Sequence, residues 1–285
     1  MDQTPLTPRS RELGDALRTL RKQFARGAEF AESLGWDPSK VSNVERGKVR
    51  PSEADLAQYL TACGKDRDCI TEFVNQYRQA FNPYFAQQTD NFSTIMFAER
   101  GAATITGYSK TALPDLLRID GYTERLLQRR GATPDQIGTA IRSQRERQRI
   151  LRSSNRPSCV FYIAETALST QLDEVRERMD QLELLRRHSR IIRIIPNGKT
   201  LPSSTDFTMY AHEKSPTTVV VDCEFTKVFI QDGSVLSQCQ AVLATLSEIA
   251  LGHTDSGALL SRLLGEEYVA VIKAAAVEQP TAPWS

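Results

Sequence analysis

The spacing of apolar residues changes character partway along the chain. Over the first 80 residues it keeps the period of a helix. Leu13, Leu17 and Leu20 mark a first helix over 11–23, with Arg18, Arg21 and Lys22 on its outer face. Phe30, Ala31 and Leu34 share one face of a second helix, and Val41 and Val44 point inward from a third. Leu56, Tyr59 and Leu60 line a fourth; Ile70, Phe73, Val74 and Tyr77 line a fifth. The punctuation agrees. Gly35 supplies a positive φ after the second helix, Asp37 is an N-cap, and Pro38 suits a first helical position because no N–H is needed there. Gly47 ends the third helix, Ser52 caps the fourth and Asp66 begins the fifth.

Pro83 breaks this pattern inside the polar and aromatic run 81–92. The sequence therefore divides into an all-α five-helix domain at 1–80 and a second domain at 81–285. A helical stretch over 109–131 is followed by a long helix from Thr133 that ends before Pro157. Beyond it, β-branched and aromatic runs of strand length fill 159–165, 190–196, 206–211, 217–223 and 226–230. A helix over 171–189 separates the first two, and two more, over 235–251 and 257–264, close the chain. Short connections between the later strands favour hairpins. The expected second domain is α+β, with a small, mainly antiparallel sheet. The ends at 1–10 and 277–285 have no periodicity and are expected to be a flexible arm and a disordered tail.

Composition narrows the class. With 285 residues, 40% apolar and 25% charged, the chain has the make-up of two globular domains. It has no apolar run of membrane-spanning length and no signal-peptide core, which predicts a cytoplasmic protein without a membrane partner. The cysteines, Cys63, Cys69, Cys159, Cys223 and Cys239, form no CxxC pair and are read as reduced thiols, mostly in cores. His188, His212 and His253 lack metal-motif spacing. Net charge is +1, but 1–50 holds ten Lys/Arg against seven Asp/Glu, and 118–156 holds ten Arg against four acids. The second excess reads as a solvated helix face, or as a further surface for DNA or an acidic protein.

The third helix carries the candidate chemistry. Ser39, Lys40, Ser42, Asn43 and Arg46 face outward, with Lys48 and Arg50 just beyond. A helix with short polar and basic side chains outward suits the major groove of double-stranded DNA. Asn43 is expected to read a base, because a carboxamide bonds adenine N6 and N7 together; Ser39 and Ser42 flank the same groove. Lys40, Arg46, Lys48 and Arg50 are expected on phosphates. Glu45 is expected to pair internally, with an arginine of the first helix or a backbone donor. One such helix reads few base pairs, so a homodimer is expected, its interface supplied mainly by the second domain. No Gly-rich phosphate loop, Gly-x-Ser-x-Gly or His-Glu-x-x-His is present. Glu165 and Asp222-Cys223-Glu224 end expected strands and could meet at a sheet edge, but such carboxylates are more often caps or solvated rim. The sequence points to no enzyme, no cofactor and no metal site.

The residues Phe30-Ala31, Gly35, Val41-Ser42, Val44-Glu45, Gly47 and Pro51-Ser52 resemble the Xre/Cro-type helix-turn-helix at fixed spacing. That family usually opens the first of the two helices with a phosphate-holding Gln; Arg26 and Gly27 stand there instead, so the clamp is either weaker or supplied by Arg26, which is expected on a phosphate. The second half resembles the regulatory domain of WhiJ-like regulators in filamentous actinobacteria, through 107–127, Arg145 to Leu151, Ala164 to Leu168, and the runs ending in Pro196 and Tyr210. Where those relatives read Pro-Gly-Leu-Leu-Gln-Thr, this chain reads Pro114-Asp115-Leu116-Leu117-Arg118-Ile119. The resemblance implies a transcriptional regulator and a small acidic partner protein encoded nearby. Two alternatives stay open: an antitoxin-like interaction module acting mainly through its partner, and a regulator with a small-molecule pocket in the second domain.

Overall fold

The computed structural model describes residues 6–23, 26–88, 92–168, 172, 174–213, 215–223 and 226–277. The tail at 278–285, the first five residues of the expected arm and Glu224 lie outside them. Five helices come first: α1 (Pro8–Lys22), α2 (Gly27–Leu34), α3 (Pro38–Glu45), α4 (Glu53–Ala62) and α5 (Arg67–Gln79). Then follow β1 (Tyr84–Gln88), α6 (Ser93–Glu99), β2 (Thr104–Ser109), α7 (Asp120–Arg129) and α8 (Pro134–Gln148). Strand β3 (Ser158–Ala164), helix α9 (Val175–Arg187) and strand β4 (Ile192–Ile195) come next. The chain continues through β5 (Phe207–Ala211), β6 (Thr218–Asp222) and β7 (Thr226–Ile230) to α10 (Gly233–Ile249) and α11 (His253–Val277). It divides into two compact units, residues 1–104 with 209–236 and residues 105–208 with 237–285.

In the first unit, α1 to α5 bury the residues that their periodicity selects. Leu13, Leu17, Phe30, Ala31, Leu34, Val41, Val44, Leu56, Tyr59 and Leu60 form one core with Val74, Tyr77 and Phe81. The helix starts are capped as their sequences dictate: Ser52 Oγ accepts from Asp55 N–H (3.1 Å) and Asp66 Oδ1 from Cys69 N–H (2.8 Å). Strand β7 pairs antiparallel with both β1 and β6, and Phe85 stacks on Phe229 at 4.6 Å. Helix α6 lies against α1, where the Thr94 hydroxyl bonds Glu12.

In the second unit, β3 and β4 run parallel in the register Phe161↔Ile192 to Ala164↔Ile195, with α9 as the crossover. Helix α11 packs along α9 and β4. Asp206 fixes the turn after β2, accepting from Lys110 N–H (2.7 Å) and the Thr111 hydroxyl (2.8 Å). Two residues that differ from the regulators the sequence resembles meet here: Asp115 pairs with Arg118 (2.5 Å) and with Arg147 (3.1 Å).

The sheet differs from expectation. It is not small and mainly antiparallel but seven-stranded and mixed, in the order β1-β7-β6-β5-β2-β3-β4. Two of its strands gave no strand signal. β1 carries two glutamines and exposes Tyr84. β2 is interrupted by Gly107, where a Cβ would sit 2.7 Å from the Phe161 ring, so the neighbour's bulk excludes a side chain there. The parallel pair arises because a helix, not a turn, joins β3 to β4. The closing helix runs to Val277 rather than ending near 264. Of the thiols, only Cys63 and Cys159 are buried; Cys223 is exposed.

Candidate nucleic-acid interface

Helices α2 and α3 are joined by three residues whose backbone is fully specified. Gly35, at φ 66°, donates to Glu32 O (3.0 Å), and Trp36 N–H reaches Ala31 O (2.8 Å), the doubled closure of a left-handed cap. Asp37 then accepts from Ser39 N–H at 2.7 Å, and the Ser39 hydrogen bonds hold its carboxyl below the usual range. The same closure ends α3: Gly47, at φ 67°, donates to Val44 O and Lys48 to Asn43 O, both at 2.9 Å.

The inner side of α3 is locked onto α1 at backbone distance. A Cβ on Gly14 would lie 2.6 Å from Glu45 O, and one on Gly47 would lie 2.5 Å from Ser10 O. The Ser10 hydroxyl donates to Gly47 O at 3.2 Å. Beside this contact Glu45, 7% exposed, takes both ends of the Arg21 guanidinium and the Tyr59 hydroxyl (2.7 Å). The carboxylate raises the Arg21 pKa against the effect of burial. Burial first, then the same carboxylate, pushes the Tyr59 phenol up. Every partner in this network is satisfied, which is the condition for a buried ion pair to hold a unique geometry. Glu45 thus pairs with the first helix, through Arg21.

The outer side of α3 is what remains. Ser39 and Arg46 are exposed, and Ser42 and Asn43 are half-buried. At 3.6 residues per turn these four fall within an arc of about 100°. Lys48 and Arg50 are exposed beyond the helix, as is Arg26 at the α2 N-cap. Two of the basic residues have partners within the chain. Lys40 Nζ bonds Asp55 Oδ1 (2.8 Å) and lies 4.0 Å from the Trp36 ring centre. Arg50 Nη2 reaches Arg78 O (3.4 Å). A concavity of ≈ 220 Å³ opens beside this arc, lined by Arg18, Gly27, Pro38, Ser42 and Arg46 among others. It brings Arg18 of α1 next to Arg46. The sequence placed Arg18 on an outer face but could not show that this face adjoins α3.

Of the strand-end carboxylates, Glu165 accepts from Asn197 N–H (2.9 Å) in the second unit, and Asp222 pairs with Lys227 (3.2 Å) in the first. Each has a local structural partner. In the arginine-rich segment, Arg118, Arg125, Arg145, Arg147 and Arg149 all hold carboxylates of this chain.

A tightly capped helix pair with a polar and basic outer face defines a helix-turn-helix of the DNA-binding class, and residues 12–73 match the helix-turn-helix domain family. Residues 92–262 match a second family, the domain of unknown function DUF5753. That match spans more than half of the chain, and the chain belongs to this family: a helix-turn-helix regulator with a DUF5753 domain behind it. No curated protein matches the chain.

Proposed function

We propose that the protein is a sequence-specific transcription regulator, acting at the nucleoid, that grips double-stranded DNA as a homodimer. The observation that carries the reading is the two-sided build of α3: its inner side is fixed to α1 by Gly14, Gly47 and Glu45, and its outer side presents Ser39, Ser42, Asn43 and Arg46. Asn43 reads a base, flanked by Ser39 and Ser42. Arg26, Arg46, Lys48 and Arg50 contact phosphates, joined by Arg18. Lys40 reaches a phosphate only by leaving Asp55, so its contribution is smaller. The proposal carries no catalytic step, and its kinship is with the Xre-type, WhiJ-like regulators that the sequence resembles.

Apolar helix surface, half-buried on α10 and exposed on α11, supports the homodimer. In α10, Val235, Cys239, Val242, Leu246 and Ile249 follow one another at alternate steps of four and three, the spacing of a helix–helix seam. Leu246 is buried and the other four are half-buried. In α11, Tyr268, Val269, Val271 and Ile272 are 40–67% exposed. Among the described residues no single helix is long and apolar enough to cross a membrane, and α10 and α11 taken together are bent by 69°. The small acidic partner is left out of this reading, because at least five of the ten arginines that would meet it already hold carboxylates of this chain.

The test is fluorescence anisotropy of full-length protein on labelled duplex DNA across a salt series. A steep linear fall of log K with log salt is expected. Salt-insensitive binding, or none at low salt, contradicts the reading.

A further inference from the structure

We propose that the second unit holds a binding site for a small organic cation with an apolar body, at the carboxyl ends of β3 and β4. These two parallel strands end level with each other, Ala164 opposite Ile195. In sheets with parallel strands, the crevice beyond the carboxyl ends is where ligands are received. A cavity of ≈ 470 Å³ opens there, between the turn after β3, the loop after β4, and helices α9 and α11. That is the size of a pocket for a small molecule.

Its wall has two kinds of surface. Leu168, Leu182 and Leu263 supply apolar area, Leu182 from a buried position. The charged residues are Glu165, Glu266, Glu267 and Arg178. Arg178 is held by Glu267 in a two-bonded pair (2.8 and 3.0 Å), which fixes α9 to α11 and cancels both charges. Glu266 meets Arg262 on the outer side of α11 (3.0 Å), both largely exposed. Among the described residues no cation pairs with Glu165. One of its oxygens, Oε2, accepts from Asn197 N–H, which orients the group; Oε1 has no partner among the described residues. A carboxylate so placed, beside leucine side chains, selects an ammonium or guanidinium on a hydrocarbon body and repels an anion of the same shape.

The proposal concerns binding alone and stands whether or not the DNA reading holds. The test titrates the full-length protein with 2-phenylethylammonium and n-hexylammonium, and with 3-phenylpropionate as the anion of similar shape, followed by saturation-transfer NMR. Saturable binding of at least one ammonium in the range of about 1 mM or tighter is expected, with none of the anion. Glu165→Gln keeps the acceptor for Asn197 and should weaken ammonium binding at least about tenfold. Leu263→Arg, at a half-buried wall position, should abolish it, with circular dichroism confirming that both variants are folded. Failure of both ammonium probes to saturate by about 10 mM, equal binding of the anion, or binding unchanged in the two folded variants would each overturn the proposal.

Discussion

Glu45 shows how a residue of the helix proposed to read DNA can fix that helix from its buried side. It is a buried carboxylate that holds Arg21 and Tyr59, and removing it leaves a buried guanidinium without its counter-charge. Glu45→Ala should cost about 3–5 kcal/mol in urea unfolding, the range for breaking a buried pair from one side. Glu45→Gln, which can still accept from Tyr59, should cost less. Equal stability of all three proteins would show that the network does not hold α3. His212 supplies a pH dependence. Burial, and after it the Arg11 charge, hold its pKa below the ordinary 6.5 against backbone hydrogen bonds at Gly101 and Ala98 that raise it. A base with a folded pKa below its unfolded one is stabilising while neutral. That contribution is present above about pH 6.5 and is lost as the pH falls through the folded value. Unfolding midpoints should therefore drop between about pH 7.5 and 5.5 by more in the wild type than in His212→Gln. Parallel pH profiles would remove His212 from the account.

At the scale of elements, the first five helices were legible because their signals are local. Caps such as Asp37, Ser52 and Asp66 act on the next three residues, and Gly35 and Gly47 act on their own φ. The sheet was only half legible. β2 is a strand through its neighbours: Gly107 is explained by Phe161, fifty-odd residues on, and no local pattern announces that contact. The parallel β3–β4 pair likewise depends on where α9 places β4. The outer face of α3 was legible as a face but not in its partners, since Asp55 for Lys40 and Arg18 beside Arg46 are tertiary facts. The pairing of Asp115 with Arg118 was equally hidden, although both differ from the regulators the sequence resembles. Two tests belong at this scale. Gly47→Ala meets both a left-handed φ and the Ser10 carbonyl, and should destabilise the protein by more than about 1 kcal/mol in urea unfolding; a neutral result would deny the close approach. Lys48→Ala should weaken binding to all duplexes alike and flatten log K against log salt by about one unit. A loss confined to one sequence would move Lys48 from phosphate to base.

For the whole molecule, the proposed reading of an inverted repeat needs two copies. Ile272, 67% exposed on α11, is the most accessible of the large apolar residues described. Ile272→Asp should leave the fold intact and shift full-length protein toward the monomer in analytical ultracentrifugation at micromolar concentration. A wild-type monomer, or a variant that dimerises as tightly, would take α11 out of the interface. The central claim is that two α3 helices read DNA together, and selection from a pool of randomised duplexes by full-length protein tests it most directly. The expected product is an inverted repeat whose half-sites are centred one helical turn, about 34 Å, apart or a multiple of it. With Asn43→Ala, one base pair in each half-site should lose its preference while the rest of the motif survives. A pool without any enriched motif, or a motif that Asn43→Ala leaves unchanged, would contradict it.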